Sequence, residues 1–155
     1  MLQRFQTLYL LAIVVLSSIT LFLPAADLLN KADGLVFLVN FKGIYLVQPT
    51  GNIFQSSVWG LTAIAAFVPI ISLITIFLYN NRKLQIRLSF FNMVLMAGYY
   101  VLLFIYLWFA CQNLHTVWNL RSVTAFPLVN MILNFLAIRA IVKDEALVKS
   151  LNRLR

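Results

Sequence analysis

Apolar residues run almost unbroken through four stretches of the chain, approximately 5–23, 58–79, 88–110 and 124–142. Each approaches the 20 or so mainly apolar residues that a helix needs to cross roughly 30 Å of hydrocarbon. In lipid the backbone must satisfy its own polar groups, so such runs read as helices. Polar breaks bound them: Pro24, Asp27 and Asn30 after the first, Asn80-Asn81-Arg82-Lys83 after the second. Pro69 removes one helical hydrogen bond and is expected to kink the second span. Pro127 falls near the start of the fourth, where proline is tolerated.

The sizeable segment outside the spans is a loop, residues 24–57. Within it 35–39 and 44–47 are rich in β-branched and aromatic residues. Asn40-Phe41-Lys42-Gly43 between them has turn composition, with Gly43 able to take a positive φ. This predicts a short hairpin, followed by a turn over 48–52. Neither strand alternates polar with apolar residues, and two lone strands are marginal in water, so the hairpin is expected to lean on the helix ends or on a partner.

Past the fourth span the helical pattern continues through 143–155. Arg139, Lys143, Lys149 and Arg153 fall on one arc and Ile141, Leu147, Val148, Leu151 and Leu154 on another, with Asp144 the exception inside the apolar arc. Such an amphipathic C-terminal helix suits the inner leaflet, basic side toward anionic headgroups, or a docking partner.

Charge assigns the sides. With both termini inside, nine basic residues (Arg4, Arg82, Lys83, Arg87, Arg139, Lys143, Lys149, Arg153, Arg155) lie inside and three (Lys31, Lys42, Arg121) outside. The positive-inside rule therefore gives N-in, C-in. Trp59, Trp108 and Trp118 at outer span ends form one aromatic girdle. A cleaved signal peptide is the rival reading of the first span. Its apolar core of about 19 residues exceeds the usual 7–15, and Arg4 is a thin n-region.

Composition agrees: 63% of residues are hydrophobic and 10% charged, against about a quarter charged in soluble domains. The net charge of +8 flanks spans rather than filling a polar domain, which points to anionic lipid and not to nucleic acid. One cysteine, Cys111, excludes an intramolecular disulfide and a Cys-cluster zinc site. His115 and Cys111 alone cannot hold a catalytic metal. No acid, base or ammonium lies deep in a span; Arg139 comes closest and can snorkel. No catalytic residue, cofactor site or metal site is therefore expected. The polar groups that do lie in the spans are amides. Asn130 and Asn134 share a face of the fourth span. Asn92, on the third, is at a depth comparable with Asn134, so an interhelical hydrogen bond between Asn92 and Asn134 is expected.

The ends of the chain carry a resemblance. Gln3-Arg4-Phe5-Gln6-Thr7-Leu8-Tyr9-Leu10 at one end, and 136–141, 143–150 and Arg153-Leu154-Arg155 at the other, resemble the bacterial membrane-protein family catalogued as domain of unknown function 4293. Membership implies a small inner-membrane protein with four spans and an uncleaved N-terminus, and implies no activity. Asn152 stands where the family has Asp before the final Arg-Leu-Arg.

The sequence thus reads as a single all-α membrane domain: a four-helix transmembrane bundle with a short β-hairpin in its outer loop and an amphipathic C-terminal helix. The expected role is a non-enzymatic accessory or structural subunit of an inner-membrane assembly, with lipid headgroups and a membrane or cytoplasmic protein as partners. Arg139, Lys143, Lys149, Arg153 and Arg155 are the candidate contacts to the inner leaflet or a partner. The alternatives are a transport or channel component acting as an oligomer and, last, an enzyme acting on lipid or quinone.

Overall fold

The computed structural model describes residues 3–30, 34–49, 51–79 and 81–153, with side chains described only between 6 and 146. Four helices, α1 (Gln3–Phe22), α2 (Trp59–Phe77), α3 (Arg82–Leu114) and α4 (Phe126–Arg153), form a ring in which each packs against the next and α4 closes on α1. Strands β1 (Ala26–Asn30), β2 (Val36–Asn40), β3 (Gly43–Leu46) and β4 (Ile53–Ser56) join α1 to α2, and β5 (Thr116–Leu120) joins α3 to α4. All five form one antiparallel sheet in the order β4-β3-β2-β1-β5. It follows that the sheet lies at one end of the ring, and the α2–α3 turn and both chain ends at the other.

This corrects the all-α expectation. The predicted hairpin exists as β2–β3, with Asn40 opposite Gly43, but it is the middle of a larger sheet. The polar end of the first apolar run becomes β1, and the short segment after α3 becomes β5. The two pair over their full length, from Ala26 opposite Leu120 to Asn30 opposite Thr116. His115 makes the join: its φ of 48° and ψ of 42° end α3 in a left-handed residue whose N–H donates to the Cys111 carbonyl. Strands β2 and β1 do alternate in burial. Phe37, Val39, Ala26 and Leu28 turn inward onto Leu61, Tyr99, Leu103 and Leu107. The third helix, 33 residues long, would measure about 50 Å at 1.5 Å per residue, and its last turns back the sheet.

The junction between α3 and α4 is pinned to β1. The Arg121 Nε–H reaches both carboxylate oxygens of Asp27 at 2.9 Å. The Ala25 carbonyl accepts from the Arg121 N–H at 3.1 Å and from the Thr124 hydroxyl at 2.6 Å. The Tyr100 hydroxyl donates to the Thr124 carbonyl at 2.6 Å. On α2, Thr62 donates to the Phe41 carbonyl, tying the β2–β3 turn to the helices.

Three of the helices bury a narrow stripe at spacings of three and four: Gln6, Leu10, Ile13, Ser17 and Thr20 on α1, and Asn130, Asn134, Ala137 and Ile141 on α4. On α3 the stripe runs Gln85, Ser89, Asn92, Met96, Tyr99, Leu103, Leu107 and Ala110. That spacing is the knobs-into-holes seam of closely packed, nearly parallel helices. The outward faces carry Leu8, Leu11, Val15, Phe67, Ile70, Phe90, Val101, Ile132 and Phe135. Large apolar groups outside and amides inside invert the distribution that water selects and suit a lipid surround. Three helical segments, Trp59–Phe77, Arg82–Leu114 and Ser122–Ala146, are long and apolar enough to cross a membrane, and Gln6–Phe22 is a shorter apolar helix.

One further expectation changes. The basic tail is the unbroken continuation of α4 as far as Arg153, so its backbone extends along the axis of that helix rather than turning onto a leaflet. The side chains of Lys149 and Arg153, and the whole of Arg155, lie outside the described residues.

Candidate functional site

The polar members of the α2 and α3 stripes, with Asn134 of α4, cluster in the half of the ring nearest the chain ends, while Ser17, Thr20 and Asn130 lie toward the sheet. Gln85, Ser89 and Asn92 follow one another on the inward face of α3, and none is more than 2% exposed. Gln85 Nε2–H donates to the Thr75 carbonyl at 3.2 Å, close to the end of α2, where the last turn leaves carbonyls without helical donors. Asn92 Nδ2–H donates to Ser72 Oγ at 2.8 Å. Asn134 Nδ2–H donates to the Ser89 carbonyl at 2.9 Å. The amides thus stitch α3 to α2 on one side and α4 to α3 on the other. Asn92 and Asn134, expected to bond to each other, send their N–H groups to Ser72 and to the Ser89 backbone instead.

These bonds use the nitrogens and leave the oxygens. Gln85 Oε1, Asn92 Oδ1, Asn130 Oδ1, Asn134 Oδ1 and Ser89 Oγ are all buried without a hydrogen-bond partner, and so is Asn40 Oδ1 beneath the sheet. A backbone carbonyl can only accept, so the orientations of Gln85 and Asn134 are fixed by their bonds and their orphaned atoms are acceptors. By contrast, Ser17, Thr20 and Thr75 turn their hydroxyls back onto the carbonyls of Ile13, Leu16 and Ile71. Pro69 adds one more acceptor, because its missing N–H frees the carbonyl of Ala65.

Small cavities follow this seam. One of about 20 Å³ lies among Ser17, Thr20, Ala65, Tyr99 and Asn130. A second of about 20 Å³ lies among Thr20, Asn40, Thr62, Ala65 and Tyr99, under the sheet. Each has room for one water molecule, and the polar oxygens beside them are the partners such a water would need.

The larger space is at the end of the ring that holds the chain termini. A cavity of about 280 Å³ opens among Gln6, Thr7, Ile76, Phe77, Tyr79, Arg82, Gln85 and Asp144. Arg82 Nη1 stands 3.0 Å from Asp144 Oδ2. This is a close charge pair rather than an aligned hydrogen bond, since the same buried nitrogen has no hydrogen-bond acceptor. Asp144, the exception in the apolar arc of the tail, is thereby explained: it continues the inward stripe of Asn134, Ala137 and Ile141 and meets Arg82.

Of the other residues singled out in the sequence, Asn130 lines the first small cavity, while Arg139 and Lys143 are exposed on the far side of α4. Gln85 and Ser89 were not among them, and Arg82 entered only as part of a basic flank. Their signal was present, since 85, 89 and 92 are spaced as one helical face, but residues 82–87 read as a basic flank ahead of a span beginning at 88. Among the described residues no group of three or more His, Cys, Asp or Glu side chains is placed to hold a metal ion.

Among curated proteins none matches the chain. A family model covers it almost end to end, over residues 2–154, and its description is a domain of unknown function. The chain, whose termini already resemble that group, belongs to the DUF4293 family.

Proposed function

We propose that the chain is a non-enzymatic accessory subunit of an assembly in the bacterial inner membrane. It crosses the bilayer four times, with both termini on the cytoplasmic side and the sheet outside. The charge bias across the spans supports that orientation, and so do Trp59, Trp108 and Trp118, all exposed toward the sheet end. The observation that carries the accessory role is the sheet itself. Its two edge strands, β4 and β5, present exposed Ile53, Phe54, Val117 and Trp118, and an apolar sheet edge is a ready template for another protein. The helices, stitched by amides, act as the rigid mount that fixes this edge at the membrane surface. Basic Arg139 and Lys143 face the cytoplasmic headgroups.

Blue-native electrophoresis combined with a photo-crosslinking residue at Phe54 tests this. A complex larger than the monomer and a discrete protein adduct from position 54 are expected, with only lipid adducts from Ile132 on the outward face of α4. Monomer alone, with no adduct from the sheet, would refute the role. A second reading, an oligomeric transport component, is favoured by the orphaned oxygens of Asn92, Asn130 and Asn134. Loss of proteoliposome flux on changing all three to Leu would select it.

A further inference from the structure

At the cavity on the chain-end side of the ring, unmet hydrogen-bonding capacity, opposite charges and usable volume coincide among the described residues. Gln85 is 2% exposed. Its nitrogen is committed to the Thr75 carbonyl, which leaves Oε1 as a buried acceptor at the cavity wall. Arg82 lines the same cavity, with Nη1 buried and 3.0 Å from Asp144 Oδ2. A molecule that engages both Gln85 Oε1 and the Arg82 guanidinium must carry a donor and an acceptor at once.

Charge narrows the class further. Arg82 and Asp144 stand together on the lining, so their formal charges cancel. A simple anion would meet Asp144 as well as Arg82, and a simple cation the reverse. A zwitterion with separated charges can set its negative end on the guanidinium and its positive end toward the carboxylate and Gln85 Oε1. Depth adds the last constraint. The wall includes Ile76, Phe77 and Tyr79 at the end of α2, beside the first turn of α3, so the cavity sits where apolar span gives way to polar flank. That is the headgroup level if the helices cross a bilayer, and this inference rests on that part of the reading above and not on the accessory role.

We infer that this cavity binds an amine-phosphate zwitterion, the headgroup chemistry of an ethanolamine phospholipid. The phosphate is taken by Arg82, whose planar guanidinium suits phosphate oxygens. The primary ammonium donates to Gln85 Oε1 and to Asp144. A choline headgroup has the same charges but no N–H to give Gln85, and a glycerol headgroup has no cation for Asp144. The site should therefore separate three lipids that differ only at the headgroup.

The test uses the full chain, purified in detergent and stripped of lipid, and reads its thermal unfolding midpoint. Lipids of one acyl composition with phosphoethanolamine, phosphocholine or phosphoglycerol headgroups are added in turn, and soluble O-phosphoethanolamine separately. The ethanolamine lipid is expected to raise the midpoint by about 4 °C or more beyond the other two. Gln85→Leu should abolish that preference, and Arg82→Gln should weaken binding of both zwitterionic lipids. Should Gln85→Leu fail to fold, Gln85→Met, of similar length and without the amide acceptor, should likewise abolish the preference. A shift by soluble O-phosphoethanolamine equal to that of the lipid would make a free amine phosphate the ligand, and a shift by the lipid alone would make it the lipid. Equal shifts from all three headgroups, or an undiminished preference in Gln85→Leu or Gln85→Met, would overturn the site. Because the isolated chain is used, none of these outcomes depends on whether a protein partner exists.

Discussion

Shortening Leu28 to alanine is expected to remove about 2–5 kcal/mol of stability, the range for a fully buried leucine replaced in a packed core. Leu28 is 0% exposed and lies on β1 between Phe37 of β2 and Trp118 of β5. Its side chain enters the cluster built by Leu103, Leu107 and Phe37, where sheet and α3 meet. Native domains hold only about 5–15 kcal/mol in total, so the loss should open the sheet while the helices persist. With Trp59 and Trp108 replaced by phenylalanine, the expected readout is Trp118 fluorescence unfolding well before the helical circular dichroism, with amide exchange rising first in β1 and β5. A single coincident transition, lowered by less than about 1 kcal/mol, would mean that the sheet is not held by this contact.

Gly43→Ala should free β4. At Gly43 φ is +154°, and a Cβ built there would stand 2.5 Å from the Ser56 carbonyl oxygen and 2.6 Å from the Phe54 ring. Both atoms belong to β4, which pairs with β3 and sits at the edge of the sheet. The backbone strain and the forced displacement together should cost about 2–6 kcal/mol. The Tyr45–Phe54 edge-to-face pair, with centroids 5.6 Å apart, would separate with the strand. Proteolysis near 53–56 should accelerate, and crosslinking from Phe54 should fail. Gly98→Ala is the control: its Cβ would meet Ile64 Cδ1 at 4.0 Å, and a helical Gly→Ala change is expected to be neutral or stabilising by up to about 1 kcal/mol. Matched effects at the two positions would contradict the steric account of Gly43.

The contrast between what the chain announces and what it conceals has a physical basis. Length, hydropathy and charge flank are local properties, so the helices and the turn at Gly43 can be read directly. The β1–β5 pairing is not local, because Asp27 and Arg121 meet across 94 positions. Neither strand shows its partner. Ala26-Asp27-Leu28-Leu29-Asn30 looks like the polar exit of a span, and Thr116-Val117-Trp118-Asn119-Leu120 like a short loop. The same limit applies to the amides. That Asn92 and Asn134 would be buried near one depth follows from helix spacing, but which acceptors they reach depends on rotation about each helix axis. That rotation put Ser72 and the Ser89 carbonyl within reach. Asp144 looked misplaced on its own helix until Arg82, from the turn that begins α3, was set beside it. Gln85 was concealed by the basic residues around it.

The proposed reading puts the sheet outside the membrane and the chain ends within the cell, and one labelling measurement tests that arrangement most directly. With Cys111 replaced by Ser, single cysteines at Gln55 on β4 and at Lys143 on α4, both exposed, are challenged in intact cells with a membrane-impermeant thiol reagent after the outer barrier is opened. Cysteine 55 should react at once, and cysteine 143 only after the inner membrane is permeabilised. Labelling of 143 but not 55 would invert the protein, and equal labelling of both without permeabilisation would contradict its insertion in the membrane.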